Sequence, residues 1–166
     1  RAVDFVARYC TAFQVGARQM PNYTLLRLLG AYGKPVFLKR HPGATLDEWL
    51  GAAEHLLTGG VTEIYLIERG SSTNANHVRW DLSLSMIPAI KALSKIPVIV
   101  DASHGTGRRD LVSPMTLAGV AAGAGGVLVE VHESPDKSLS DPDQAITPNE
   151  FQELMNKVKL VKAAIA

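Results

Sequence analysis

The stretch PVIVDASHGTGRRD, residues 97–110, decides the fold class of this 166-residue chain. Its first five residues predict a buried β-strand, of which the first four are an apolar run. The run leads directly into Asp-Ala-Ser-His, then into a turn with two glycines and two arginines. A loop that only has to reverse the chain is usually built from Gly, Asn and Ser, whereas this loop carries an imidazole and groups that suit anions. The stretch therefore predicts an α/β fold with reactive groups where a strand ends.

Predicted strands and helices alternate on both sides of this stretch. Apolar runs predict five strands, at residues 11–16, 35–39, 63–68, 97–101 and 126–131. Helical spacing and capping boxes predict helices at residues 2–9, 23–29, 45–57, 84–93, 111–122 and 147–164. Runs such as VFL and VLV are continuously apolar, which is typical of parallel strands covered on both faces.

Two architectures are compatible with this order of strands and helices. A doubly wound sheet is complete with five βα units, whereas a (β/α)8 TIM barrel has eight units and about 250 residues. The first turn, GARQMPN, lacks the G-x-G-x-x-G pattern of a dinucleotide-binding sheet, and no Walker sequence is present. Polar residues occur at or just after the C-terminal end of all five predicted strands, as at the catalytic rim of a barrel: Arg18, Lys39, Glu68, Arg69, Asp101, His104, Glu130 and His132. We therefore predict a partial barrel of about five units that forms a single domain over residues 1–166.

Composition limits the kinds of partner that we expect the protein to bind and the cell compartment in which we expect it. The chain is 46% hydrophobic with a formal net charge of +1, so no global charge favours nucleic acid or an anionic membrane. No apolar run reaches the length of a membrane span, about 18 residues. The single cysteine, Cys10, excludes an internal disulfide and fits a reducing compartment, which predicts a cytoplasmic protein.

The polar rim contains two chemically different groups. Arg18, Lys39 and Arg69 each follow a different strand, so they could converge on one phosphate or carboxylate. Alternatively, each cation pairs with a neighbouring carboxylate or lies in solvent.

The second group is His104, Glu130 and Asp141, with His132 nearby in sequence. One imidazole and two carboxylates suit a divalent transition metal that keeps open positions. The alternative is a hydrogen-bonded histidine at a strand end beside two surface acids.

The motifs at the rim resemble, in order, those of the 3-deoxy-D-arabino-heptulosonate 7-phosphate (DAHP) synthases. The matching segments are GARQM, KPVFLKR, IERG, PVIVDASHGTGRRD, VEVHESPDKSLSD and TPNEFQELM. The resemblance covers essentially the whole chain and is to the smaller microbial class, which also resembles 3-deoxy-octulosonate 8-phosphate synthase. GAR together with SHGTGRRD favours the heptulosonate enzymes.

The resemblance implies an activity and a set of site residues. Phosphoenolpyruvate would condense with erythrose 4-phosphate to give DAHP and phosphate, the first step of the shikimate pathway to the aromatic amino acids. Arg18, Lys39, Arg69 and the backbone N–H of Ala17 would bind phosphoenolpyruvate, and Lys39 would also serve as a proton donor. His104, Glu130 and Asp141 would be three ligands of a divalent metal (Mn, Fe, Co or Zn), which makes His104 catalytic together with Lys39. A homo-oligomer is expected, with no nucleic-acid or membrane partner.

The chain lacks two motifs of the family, and their absence leads to further predictions. The family's Gly-Pro-Cys ligand segment and its Lys-Pro-Arg-Thr aldose-phosphate segment are absent, and the chain resembles family strands 4 to 8 only. About three N-terminal units are therefore expected to lie outside the sequence, and the isolated 166-residue chain is predicted to be inactive. Two alternatives stay open: an octulosonate-type enzyme that uses arabinose 5-phosphate, or a non-catalytic barrel fragment that binds phosphoenolpyruvate. His41, Arg108 and Arg109 receive no assigned role.

Overall fold

The computed structural model describes residues 2–166 of the chain. Two compact units make up the structure, one ending at Ile67 and one running from Glu68 to Ala166. Within the described residues, no helix combines the length and apolar character that a membrane-spanning segment requires.

Five short strands alternate with helices along the chain. The strands are β1 (Phe13–Val15), β2 (Val36–Lys39), β3 (Ile64–Glu68), β4 (Val98–Asp101) and β5 (Gly126–Leu128). The α-helices are α1 (Ala2–Ala7), α2 (Tyr23–Leu29), α3 (Leu46–Thr58), α4 (Met86–Leu93), α5 (Ala102–Thr106), α6 (Arg109–Ala121) and α7 (Pro148–Ala164). This alternation of parallel strands and helices is that of a partial α/β barrel, as predicted.

The first unit holds three strands in sequential order. β1 pairs parallel to β2 and β2 pairs parallel to β3, in a register that sets Val36 opposite both Phe13 and Ile64. Val36 and Leu38 are fully buried, while the rings of Phe37 and Tyr65 stack on each other with centroids 4.6 Å apart. Neighbouring strands thus follow each other along the chain, without the reversal of order that a doubly wound sheet requires.

The second unit pairs β4 parallel to β5, with Asp101 opposite Leu128. Its apolar core lies where α6 and α7 pack together, and its buried members are Val112, Val120, Ile146, Leu154 and Val158. The C-terminal ends of β4 and β5 therefore lie on a packed support, and the loops that follow them carry the site described below.

Both predicted capping boxes are present. The hydroxyl of Thr45 accepts a hydrogen bond from the backbone N–H of Glu48, whose carboxylate accepts one from the N–H of Thr45. Thr147 and Glu150 make the same reciprocal pair at the start of α7. Each box satisfies backbone donors that have no partner within the first turn of a helix.

Several predicted boundaries differ from the structure by one to three residues, and two of the differences have a clear local reason. The residues after β4, expected to form a loop, make the short helix α5, because the Asp101 carboxylate caps it by accepting from the N–H of His104 at 3.0 Å. The strand predicted over residues 126–131 ends at Leu128, because the N–H of Glu130 donates to the hydroxyl of Ser103 instead of to a neighbouring strand.

Candidate metal centre

Three potential metal ligands come together in the second unit. Ligand atoms of His104, Glu130 and Asp141 all lie within 4.8 Å of one another. The Nε2 atom of His104 is 3.5 Å from the Glu130 carboxylate and 3.9 Å from the Asp141 carboxylate. The three side chains are between 22% and 34% exposed, so a small molecule could reach them.

Asp101 orients the imidazole of His104. The Nδ1 atom of His104 lies 3.0 Å from the Asp101 carboxylate, which is completely buried at the end of β4. A carboxylate accepts a hydrogen bond from the protonated nitrogen, so this contact favours the tautomer with the proton on Nδ1 and the lone pair on Nε2. The Nε2 lone pair then faces the two acidic side chains, as a metal-ligating histidine requires.

The backbone of Glu130 is held on both sides. Its N–H donates to the buried hydroxyl of Ser103 at 3.0 Å, and its carbonyl accepts from the N–H of Ile146 at 3.0 Å. The side chain therefore projects from a fixed backbone position, although Glu130 lies two residues beyond the end of β5.

Asp141 occupies an unusual backbone conformation. Its φ of 49° lies in the left-handed region, where Asp is one of the few non-glycine residues found with any frequency. One carboxylate oxygen lies 3.3 Å from the guanidinium of Arg79, and the other oxygen faces His104. Arg79 thus holds one oxygen and leaves the second available for a cation.

This donor set fits a divalent transition metal. Two ligand atoms that each lie about 2.1 Å from one ion can be at most about 4.2 Å apart. The distances from His104 Nε2 to the two carboxylates are shorter than this limit. All the ligand atoms lie within 4.8 Å of one another, so the side chains would need to move only slightly closer together to share one ion. Such metals bind an imidazole whose Nδ1 atom contacts one carboxylate and whose Nε2 atom faces two further carboxylates.

Arg69 lies beside this cluster in the second unit. It follows β3 directly, is only 7% exposed, and donates to the backbone carbonyl of His104 at 3.3 Å. Its guanidinium also lies over the ring of Trp80, 5.5 Å from the ring centroid. These contacts restrict the orientation of the guanidinium. They also link Arg69, which is a candidate for anion binding, to the backbone of His104, which is a candidate metal ligand.

The remaining anion-binding candidates lie in the first unit, at the ends of β1 and β2. Ala17 and the exposed Arg18 belong to a short 3-10 helix, Ala17–Gln19, that follows β1. Lys39 is the last residue of β2 and is 7% exposed. These positions agree with the strand-end placement expected from the sequence.

The residues without an assigned role have local partners. His132 accepts from the N–H of Ser134 and lies outside the three-residue cluster, and His41 accepts from the N–H of Gly43. Arg108 forms a two-pronged ion pair with Asp110, whose pKa it holds below the ordinary value through hydrogen bonds to the carboxylate.

The two glycines of SHGTG have packing roles. Gly107 adopts a φ of 66° and ends α5 by donating to the carbonyl of Ser103. A Cβ on Gly105 would lie 2.6 Å from a methyl group of Leu82. Both glycines thus let the loop from residues 71–85 pack closely against α5.

Sequence reasoning missed three residues of this centre: Asp101 as the partner of His104, Ser103 as the support of Glu130, and Arg79 as the partner of Asp141. An Asp three residues before a histidine, at a strand end, is a signal for a helix N-cap and could have identified Asp101. Arg79 gives no such signal, because it lies 62 residues from Asp141 in a segment without regular pattern.

Comparison with known proteins gives a consistent result. The sequence model of the DAHP synthetase I family matches residues 1–166. The phospho-2-dehydro-3-deoxyheptonate aldolase of Thermotoga maritima is 43% identical over 160 residues, which are 96% of this chain and 47% of that protein. A 2-dehydro-3-deoxyphosphooctonate aldolase of Pelobacter propionicus is 32% identical over 172 residues, which cover 96% of this chain and 61% of that protein.

Solved structures agree with the sequence relatives. The crystal structure of the Thermotoga maritima DAHP synthase superposes with a TM-score of 0.96 at 42% identity, covering 98% of this chain and 48% of that one. A truncated form of the 3-deoxy-D-arabino-heptulosonate 7-phosphate synthase from the same organism gives a TM-score of 0.95 and covers 62% of that chain. The chain spans about half the length of the Thermotoga maritima protein that it matches. The superposition confirms the partial barrel.

Proposed function

The chain belongs to the DAHP synthetase I family, and on that premise we propose that it forms part of an enzyme that condenses phosphoenolpyruvate with erythrose 4-phosphate. The products are DAHP and inorganic phosphate. The chain would contribute the units that correspond to strands 4 to 8 of the barrel, as one catalytic portion. Support comes from the similarity over 96% of the chain to a protein named phospho-2-dehydro-3-deoxyheptonate aldolase.

The observation that carries this proposal is the cluster of His104, Glu130 and Asp141 with Asp101 behind the imidazole. We propose that these three side chains hold Mn, Fe, Co or Zn, since a mixed imidazole and carboxylate set suits these metals. Such a metal, when bound, supplies Lewis-acid polarisation of the aldehyde oxygen of the aldose phosphate.

The chain's own cations would bind the phosphoenolpyruvate anion. The proposed donors are the guanidinium groups of Arg18 and Arg69, the ammonium of Lys39 and the backbone N–H of Ala17. Arg offers a fork of donors that matches a phosphate or carboxylate, whereas Lys offers a single strong charge. The burial of Lys39 and Arg69 strengthens this proposal, because a charge bonds an anion more strongly when water is excluded.

Binding in this way would orient C3 of phosphoenolpyruvate toward the aldehyde carbon. The new C–C bond forms between these two carbons, water adds at C2 and phosphate leaves. Lys39 would hold a proton at Nζ for the aldehyde oxygen, which becomes a hydroxyl group. His104 would keep its own proton on Nδ1, where Asp101 accepts it.

The competing function is the octulosonate-type condensation with arabinose 5-phosphate. The relatives named 2-dehydro-3-deoxyphosphooctonate aldolase are 28–32% identical to the chain, against 43% for the protein named phospho-2-dehydro-3-deoxyheptonate aldolase. A phosphoenolpyruvate-binding chain without catalysis is the third possibility. Assembly as a homo-oligomer and a cytoplasmic location stay predictions.

The deciding experiment supplies the two aldose phosphates separately. The protein is expressed from its complete gene, loaded with Mn²⁺ and given phosphoenolpyruvate, and the release of phosphate is followed with each aldose. We expect release with erythrose 4-phosphate and little with arabinose 5-phosphate. The reverse preference would assign the octulosonate reaction, and phosphoenolpyruvate binding without release would assign the non-catalytic function.

A further inference from the structure

Arg109, the first residue of α6, makes three contacts with the segment of residues 136–143. Its Nη2 atom donates to the carboxylate of Asp136 at 2.7 Å and to the carbonyl of Pro142 at 3.0 Å. Its backbone N–H donates to the carbonyl of Asp143 at 2.7 Å. The contacts lie on both sides of Asp141 in the sequence, so the segment is held before and after that residue.

The placement of Arg109 is unfavourable in other respects. A cation at the N-terminus of a helix opposes the helix dipole. The Nε atom of Arg109 is buried and has no hydrogen-bond partner among the described residues. The contacts of this side chain with the segment of residues 136–143 offset these two unfavourable effects.

The segment needs such support because of the conformation of Asp141. A left-handed φ is less favourable than the ordinary regions for a residue with a Cβ, and it persists where surrounding contacts hold it. Arg79 contacts the Asp141 carboxylate itself, whereas Arg109 contacts the backbone of the two residues that follow. Arg79 therefore holds the side chain of Asp141, and Arg109 holds the backbone that follows it.

We infer that Arg109 is a positioning residue for Asp141: it holds the segment of residues 136–143 so that the Asp141 carboxylate faces His104. The inference rests on the proposed function, because the metal-binding role of Asp141 is part of that proposal. Arg109 itself touches neither the metal ligand atoms nor a substrate; it acts through the backbone.

Mn²⁺ binding tests this inference without any assay of activity. Free Mn²⁺ is measured from its electron paramagnetic resonance signal during titration of the wild type, Arg109→Ala, Arg109→Lys and Arg108→Ala. We expect Arg109→Ala to weaken binding about 10-fold, at the lower end of the range for residues that support metal ligands. Arg109→Lys should recover part of the loss. Arg108→Ala, the matched control, should bind within about twofold of wild type, because the guanidinium of Arg108 contacts Asp110 and the carbonyl of His77 and not the segment of residues 136–143.

A double-mutant comparison separates positioning from general destabilisation. If Arg109 acts through Asp141, adding Arg109→Ala to Asp141→Asn should cause no further loss of Mn²⁺ affinity. A full further loss in that background would overturn the inference, as would wild-type affinity in Arg109→Ala alone. A wild-type protein that binds no Mn²⁺ would instead overturn the proposed metal site, and the inference with it.

A second variant decides the matter if Arg109→Ala does not fold. Asp136 is 87% exposed, so Asp136→Asn removes the ionic contact to Arg109 without disturbing the core. A loss of Mn²⁺ affinity in this variant or in Arg109→Lys would support the inference. Unchanged affinity in both would overturn it, because Asp136→Asn leaves the contacts of Arg109 with the carbonyls of Pro142 and Asp143 in place.

Discussion

The Nδ1 atom of His104 lies 3.0 Å from the carboxylate of Asp101, three residues earlier in the chain. The same carboxylate accepts the backbone N–H of His104 and so caps α5. One buried acid therefore fixes both the backbone and the imidazole of the residue that would bind the metal.

Replacement of Asp101 by Asn should weaken metal binding while leaving the helix cap in place. Asn caps helices as well as Asp does, but its neutral amide holds the Nδ1 proton less strongly. We expect Mn²⁺ affinity to fall by about 10-fold or more. Asp110→Asn is the control, because Asp110 pairs with Arg108 on the surface. Equal affinities in wild type and Asp101→Asn would contradict the orienting role.

Removal of the Arg69 guanidinium should weaken phosphoenolpyruvate binding. Arg69→Ala is expected to cost about 1.5–3 kcal/mol, the range for hydrogen bonds to charged groups. This corresponds to a rise in Kd of roughly 10- to 150-fold, measurable by calorimetry. Arg27→Ala, which removes a cation that contacts His55, should leave the Kd unchanged.

Trp80 should contribute to the same binding through Arg69. The cation–π contact that orients the guanidinium is worth about 0.5–2 kcal/mol. Trp80→Ala should therefore raise the Kd for phosphoenolpyruvate less than Arg69→Ala does. In the Arg69→Ala background the tryptophan substitution should have little further effect, and a full additional loss would show that Trp80 acts elsewhere.

Two helical glycines should respond oppositely to substitution by alanine. A Cβ on Gly119 of α6 would lie 2.7 Å from a methyl group of the buried Val100, so Gly119→Ala should destabilise by about 1–3 kcal/mol. A Cβ on Gly51 of α3 would meet no atom within 4 Å, so Gly51→Ala should stabilise by about 0.5–1 kcal/mol. Denaturant unfolding measures both, and a stabilising Gly119→Ala would contradict the close packing of α6 on β4.

The capping box of α7 predicts a pH dependence of stability. Hydrogen bonds from the backbone N–H and hydroxyl of Thr147 hold the pKa of Glu150 below its ordinary value. A lowered folded-state pKa means that the stabilisation is complete above the unfolded pKa, about 4.3, and is lost as pH falls through the folded pKa. The difference in unfolding free energy between wild type and Glu150→Gln should therefore be largest near neutral pH and disappear in acid. Glu153→Gln, on the same helix outside the box, is the control.

The elements that could be predicted from the sequence were those with local signals. The apolar runs located β2, β3 and β4 to within one residue at either end, and the pairs Thr45–Glu48 and Thr147–Glu150 marked the starts of α3 and α7. Strand ends also indicated His104 and Glu130, since polar groups at the ends of parallel strands share one rim.

The parts that could not be predicted depend on contacts between distant residues. Arg79 meets Asp141 across 62 residues, and Ser103 supports Glu130 across 27. Neither pairing follows from any periodicity. The short α5 was missed because five residues carry too little helical pattern, and only the cap by Asp101 makes it favourable.

On the function proposed here, His104, Glu130 and Asp141 bind the metal on which DAHP formation depends. The most direct measurement strips the protein, expressed from its complete gene, with a chelator and follows DAHP formation from phosphoenolpyruvate and erythrose 4-phosphate while Mn²⁺ is added back. We predict that Mn²⁺ restores the activity of the wild type with about one ion per chain, and that His104→Ala neither binds the ion tightly nor recovers. Full activity in the stripped wild type, or Mn²⁺-restored activity in His104→Ala, would contradict the claim.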